Sequence, residues 1–255
     1  MKDLFDLSDK IAVVTGASSG LGVEFATALA RRGADVAIVA RRMEKLAETK
    51  KAIEKMGRRC LAVKCDVLKV AEVRQAVADI KKHFGRIDIL VNNAGVAKAH
   101  PSHEHPDEDW HAVVDTNLTS VFFMCREVGK VMIKQNYGKI INLGSIHSHV
   151  AMTNLPLAAY CASKGGVLML TRALASEWAK YHITVNAIAP SYFPSEMTGS
   201  VIDTPDFKKV LKAYCPMGRA GQPAELDGAL IYFASDASSF TTGQILAIDG
   251  GWTTI

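Results

Sequence analysis

The chain has 255 residues, 49% hydrophobic and 22% charged, with a formal net charge of +4. This composition gives room for one large α/β domain with a substantial core and excludes a disordered chain. The basic residues are scattered apart from pairs such as Arg31-Arg32 and Arg41-Arg42, with no apolar run of about 18 residues and no signal-peptide core, so a cytoplasmic protein without membrane or nucleic-acid partners is expected.

In chain order, "IAVVTG" reads as a strand, "GLGVEFATALARRG" as a helix and "DVAIVA" as a second strand. "EKLAETKKAIEKMG" has helical spacing, "CLAVKCDV" is a third strand, "AEVRQAVADIKKHFG" a third helix and "IDILVNNAG" a fourth strand. A long helical region follows over 107–135, then the strand "GKIINLGS", a helix over 159–181 and the strand "ITVNAIAP". An irregular stretch at 190–216 precedes a helix near 223–235 and the final strand "QILAIDGG". Such alternation predicts one Rossmann-like domain over 1–255, a doubly wound parallel sheet of about seven strands flanked by helices, with 190–216 as a substrate lid.

Five cysteines (Cys60, Cys65, Cys125, Cys161 and Cys215) form no C-x-x-C pair, and their odd number argues against a disulfide framework. They are expected to be buried thiols. His100, His103 and His105 lie in a loop interrupted by prolines and lack the spacing of a zinc site, so no metal is expected.

The first chemical signal is "TGASSGLG", where Gly16, Gly20 and Gly22 join a strand to a helix. Glycines there let backbone amides approach a pyrophosphate, and the helix N-terminus adds favourable partial charge. Ser18, Ser19 and Leu21 belong to the same turn. The second strand ends in Ala40, Arg41 and Arg42, with no carboxylate for a ribose 2′-hydroxyl but two guanidinium groups suited to a 2′-phosphate. This predicts NADP(H), with Arg41 the stronger candidate of the pair.

With "TGASSGLG", "CDV" at 65–67, "NNAG" at 92–95, Asn117, Ser145, "YCASK" at 160–164 and the ending "TGQILAIDGGW", the sequence resembles the classical short-chain dehydrogenase/reductase family over nearly its whole length. The resemblance implies hydride transfer between a nicotinamide and a secondary alcohol or ketone, with Asn117, Ser145, Tyr160 and Lys164 catalytic. Tyr160 and Lys164 stand four residues apart, on one helical face. A nearby ammonium favours phenolate and would bring Tyr160 down from about 10 toward working pH, for proton exchange with the substrate oxygen. Ser145 ends a strand at the carboxyl edge of the sheet, where its hydroxyl can stabilise that oxygen. Its gap to Tyr160 is two residues longer than the family's usual one, and Ser148 is a weaker alternative.

By the same resemblance Lys164 holds the nicotinamide ribose, Asn117 serves a water-linked proton relay to Lys164, and Asp66 with Val67 meets the adenine. Asn93, Ala94 and Gly95 lie along the cofactor, as do Pro190, Phe193 and Ser195. Ser191 replaces a family glycine, which puts the local backbone path in question. His147, in the lengthened loop, and Tyr192 and Met197, in the lid, join Ser145 and Tyr160 as substrate-binding candidates.

"LFDLSDKIAVVTG", "NLPLAAYCASKGG" and "SYFPSEMT" resemble the gluconate 5-dehydrogenase-like branch, which implies sugar acids or polyols. Tyr192, Phe193, Met197, Val201 and Ile202 would instead form an apolar wall suited to a hydroxysteroid or other bulky ketone. A non-catalytic nucleotide sensor is the third reading. The family resemblance also implies a homotetramer.

Overall fold

A computed structural model describes residues 3–153 and 155–254; Met1, Lys2, Ile255 and Asn154, the last within the quoted "NLPLAAYCASKGG", lie outside it. Among the described residues seven strands form one parallel sheet: β1 Ile11–Thr15, β2 Asp35–Ala40, β3 Cys60–Lys64, β4 Ile89–Asn92, β5 Gly138–Leu143, β6 Ile183–Pro190 and β7 Ile245–Ile248. Their order is β3-β2-β1-β4-β5-β6-β7. The order reverses between β1 and β4, which opens a crevice at the carboxyl ends of these strands.

Every residue of β1, β2, β4, β5 and β6 is buried, because helices cover both faces and near-continuous apolar strands are stable only there. One face packs against α1 Gly20–Arg31, α2 Met43–Glu54 and α8 Asp227–Ala234 through Phe25, Leu29, Leu46, Ile53, Leu230 and Phe233. The other packs against α3 Val70–Phe84, α5 Ser120–Gln135 and α6 Ala158–Trp178 through Ile80, Met124, Val128, Val167 and Trp178. Alternate residues of β1 divide between the two cores, Ala12 and Val14 to one and Val13 to the other, as the strand period of two requires.

The predicted helical region over 107–135 is real but interrupted. After α4 Asp107–Val114 comes a single π-helical turn, Asp115–Thr119, before α5 begins. The Ser120 hydroxyl donates to the Thr116 carbonyl at 2.6 Å, the acceptor its own amide would use in an α-helix, and that amide reaches back to Asp115 instead. Asn117 lies in this widened turn.

The stretch at 190–216 is less irregular than expected, for it contains α7 Pro205–Tyr214. Thr204 caps it by accepting the Phe207 amide at 3.3 Å, Pro205 occupies the first turn, and Phe207, Val210, Leu211 and Tyr214 recur at helical spacing. Ser191 has no positive φ, so the residue there need not be glycine. Four of the five cysteines are buried and all five are free thiols.

Candidate active site

The turn after β1 and the loop after β4 are bound to each other before any ligand is considered. Thr15 Oγ1 accepts the amides of Asn93 and Ala94 at 3.0 and 3.2 Å, and Asn93 Nδ2 donates to the Thr15 and Gly16 carbonyls at 3.1 and 3.4 Å. Gly22 must be glycine because a Cβ there would overlap the Gly16 carbonyl, so α1 sits hard against the turn that precedes it. Leu21 packs on the first core and Val67 on the second. Asp66 Oδ1 accepts the Leu68 amide at 3.1 Å, shaping the turn after β3.

Asn117 is fully buried and every polar group of its side chain is bonded. Its Oδ1 accepts the Val96 amide at 2.8 Å, and its Nδ2 donates to the Val96 carbonyl at 2.9 Å and to Ser163 Oγ at 3.1 Å. Ser163 in turn donates to the Tyr160 carbonyl at 2.7 Å. Asn117 therefore clamps the loop after β4 to the helix that carries Tyr160 and Lys164, and Ser163 is a partner that sequence spacing did not single out. Gly95 passes between them: a Cβ on it would come within 3.2 Å of Asn117 Oδ1 and 3.8 Å of Lys164 Nζ.

Lys164 is buried, donates to the Leu143 carbonyl at 2.6 Å and lies 5.7 Å from the centre of the Tyr160 ring. Burial pushes its ammonium down to about 8. The Tyr160 phenol moves opposite to the expectation: burial raises it above its ordinary value, and the neighbouring Ser145 hydroxyl offsets this only in part. Desolvation governs the phenol, while the Lys164 ammonium is held at the Leu143 carbonyl.

Ser145 lies two residues past the end of β5, at the start of the short turn Ile146–Ser148, and is buried. Its Oγ accepts the His147 amide at 3.1 Å, and its own amide donates to Ser148 Oγ at 3.2 Å. Ser148 is thus spent as a cap of the short turn Ile146–Ser148, which leaves Ser145 as the serine beside Tyr160. His147 is buried, its ring edge-on to Tyr160 at 6.0 Å. Its Nδ1 donates to the Val150 carbonyl at 3.1 Å, while Nε2 has no hydrogen-bond partner. Burial lowers its pKa, so the ring is neutral and Nε2 presents a lone pair.

The two arginines at the end of β2 differ in their contacts. Arg42 donates to Ser18 Oγ at 3.1 Å and Ser19 Oγ at 3.0 Å, whereas Arg41 is exposed and makes no hydrogen bond or ion pair with the glycine-rich turn among the described residues. Ala40 is the last buried residue of β2, and the chain then turns so that Arg42, the N-cap of α2, faces back toward the turn. Two further residues join it: Lys45, one turn along α2, and Glu196, whose carboxylate accepts from Lys45 Nζ at 2.6 Å, Arg42 at 2.9 Å and Ser19 Oγ at 2.9 Å. Lys45 could be read from its i, i+3 spacing to Arg42; Glu196 carries no local signal.

The apolar residues proposed as a substrate wall are mostly used elsewhere. Phe193 and Ile202 are buried, Phe193 in the first core, and Tyr192 packs on Phe207 and Trp252. Met197 and Val201 are exposed. Pro190 ends β6, and Ser195 hydrogen-bonds Thr198 at 3.0 Å. His100 bonds to Asp109 at 2.8 Å and stacks edge-on with His105, so these histidines tie down their own loop.

A serine, a tyrosine and a lysine gathered at the carboxyl edge of a doubly wound sheet, beside a glycine-rich turn, define a nucleotide-dependent oxidoreductase. Residues 16–253 match the family model described as "Enoyl-(Acyl carrier protein) reductase". The chain is 40% identical to the gluconate 5-dehydrogenase of Gluconobacter oxydans over 98% of its own length and 97% of that protein. Among solved structures it resembles a gluconate 5-dehydrogenase from Burkholderia cenocepacia in complex with NADP and tartrate (TM-score 0.95, 39% identity, 99% and 98% of the two chains). It resembles equally a short-chain type dehydrogenase/reductase from Mycobacterium marinum (TM-score 0.95, 37% identity, 99% of both chains). The chain belongs to the short-chain dehydrogenase/reductase family, and it is an oxidoreductase acting on CH–OH groups. No helix among the described residues is long and apolar enough to cross a membrane.

Proposed function

We propose that the protein interconverts a secondary alcohol and a ketone of a sugar acid, using NADP(H), with Tyr160 exchanging the proton. The observation that carries this reading is the convergence of Ser145, Tyr160 and Lys164 beside a turn whose basic end already seats a carboxylate. That donor set, two cations and a serine hydroxyl, suits a ribose 2′-phosphate, and Arg42, Lys45, Ser18 and Ser19 would hold it. The bound nicotinamide would supply or accept the hydride at the substrate carbon.

The chain's own groups do the rest. Tyr160, protonated at neutral pH in this environment, donates to the carbonyl oxygen during reduction and takes the proton back during oxidation. Ser145 hydrogen-bonds the same oxygen. With the nucleotide bound, Lys164 would hold the ribose hydroxyls and, with Asn117, would link Tyr160 to solvent through a water relay. The lone pair on His147 Nε2 suits a substrate hydroxyl, in keeping with the gluconate activity of the relatives. Residues 190–216 would cover this site as a lid, with Tyr192, which neighbours Tyr160, nearest the substrate.

The same reading makes the protein a cytoplasmic homotetramer. Free thiols suit a reducing compartment. Phe122 on α5, Met169 on α6 and Leu246 on β7 are large apolar side chains left exposed, as subunit contacts would need. The deciding experiment follows nicotinamide absorbance with NADP⁺ and NAD⁺ against gluconate, simple polyols and hydroxysteroids. Turnover of gluconate with NADP⁺ is expected; turnover of steroids alone would overturn the substrate class.

A further inference from the structure

Glu196 lies far along the chain from the groups it contacts, yet its carboxylate is the most heavily bonded exposed anion of the site. Oε1 accepts from Lys45 Nζ at 2.6 Å and Arg42 Nη1 at 3.3 Å; Oε2 accepts from Arg42 Nη2 at 2.9 Å and Ser19 Oγ at 2.9 Å. The residue before it packs on the turn as well, since a Cβ on Gly20 would lie 3.2 Å from Ser195 Cβ. The 195–199 segment is internally tied: Ser195 Oγ pairs with Thr198 Oγ1 at 3.0 Å, the Gly199 amide donates to the Ser195 carbonyl at 2.8 Å, and Thr198 Oγ1 donates to the Phe193 carbonyl at 2.5 Å. It therefore rests as one unit over the start of α1.

We propose that Glu196 is an internal counter-anion occupying the 2′-phosphate subsite, so that NADP(H) must displace it and in doing so frees the 195–199 turn from the glycine-rich loop. This rests on the reading that the Arg42 end of the site receives the adenosine ribose. Arg42 and Lys45 carry two positive charges, enough for a phosphate dianion but not for that dianion and a carboxylate together. A nucleotide without the 2′-phosphate leaves the contact in place. Glu196 thus sets cofactor preference by opposing NADP(H) selectively, and it couples the lid to the kind of nucleotide bound. The contact does not switch with pH in the working range, because its bonds to Arg42, Lys45 and Ser19 hold the carboxyl down at about 2.

The test is calorimetric binding of NADP⁺, NAD⁺ and adenosine 2′,5′-bisphosphate to wild type, Glu196→Gln and Arg42→Ala. If the latched form holds most of the population, Glu196→Gln tightens NADP⁺ and the bisphosphate by about five- to tenfold and leaves NAD⁺ within about twofold. Limited proteolysis should cut wild type within 195–204 faster when NADP⁺ is bound than when NAD⁺ is bound, and Glu196→Gln should lose that difference. If Arg42→Ala weakens NADP⁺ but Glu196→Gln fails to tighten it, the latch is wrong and the cofactor reading stands. If neither substitution moves NADP⁺ affinity, both are wrong.

Discussion

At the end of the site formed by Ser145, Tyr160 and Lys164 the polar groups are drawn into the protein, whereas at the end formed by Ser19, Arg42 and Lys45 the charges stand partly in solvent. Asn117 and Lys164 are 0% and 5% exposed; the side chains of Arg42 and Glu196 are 41% and 52% exposed. Inside, low dielectric makes each hydrogen bond costly to lose and shifts pKa values by desolvation. Outside, ion pairs are screened and contribute to binding selectivity rather than to stability. Changes at the inner end should therefore damage chemistry or folding, and changes at the outer end should alter nucleotide affinity alone.

The largest effect is expected from Tyr160→Phe, which removes the proposed proton donor and should lower kcat by about a thousandfold. Nucleotide affinity, measured by fluorescence titration, should stay within about twofold of wild type, and a Phe variant keeping a tenth of the activity would break the contrast. Next comes Asn117→Ala. It leaves the Val96 amide and carbonyl without their partner, so chemical denaturation should reveal a loss of about 2–3 kcal/mol. An unchanged unfolding midpoint would mean that the clamp contributes nothing to the fold.

The pH dependence sharpens the same contrast. Oxidation needs the Tyr160 phenolate, which burial makes scarce at neutral pH, so kcat/KM for oxidation should climb by up to about tenfold per pH unit from about pH 6. The climb should flatten above about 8, where Lys164 loses its proton. Reduction uses the protonated phenol and should be nearly flat over the acidic half of this range. A flat oxidation profile would contradict the direction of the Tyr160 shift. The smallest effect belongs to the outer end: raising salt from about 50 to about 500 mM should weaken NADP⁺ by a few-fold and leave the unfolding midpoint almost unchanged. Salt-independent NADP⁺ binding would place the phosphate away from Arg42 and Lys45.

Much of the inner end was legible before the fold was known. The alternation of strands and helices, the glycine-rich turn after β1, the position of Ser145 just past β5 and the i, i+4 pair of Tyr160 and Lys164 are all local patterns. The outer end was legible only as a class of residue. Arginine at 41 or 42 satisfies the same expectation, and which of them reaches the glycine-rich turn depends on how the chain leaves β2, a phase of one residue that periodicity does not define. The helix Pro205–Tyr214 had its signals in Thr204, Pro205 and the spacing of Phe207, Val210 and Leu211, but the prolines and serines around it masked them.

From the chain alone come the sheet class, the glycine-rich turn and the placing of Tyr160 and Lys164 on one helical face, because strand and helix periods and i, i+4 neighbours are imposed by backbone geometry over a few residues; the proton-transfer role proposed for Tyr160 comes from the family resemblance. The partners of Asn117, the rise of the Tyr160 pKa, the contact of Arg42 with Ser18 and Ser19 and the contact of Glu196 with Lys45 come from the folded molecule. Each depends on burial or on segments far apart in sequence meeting at one edge of the sheet, and neither desolvation nor long-range closure leaves a mark in local spacing.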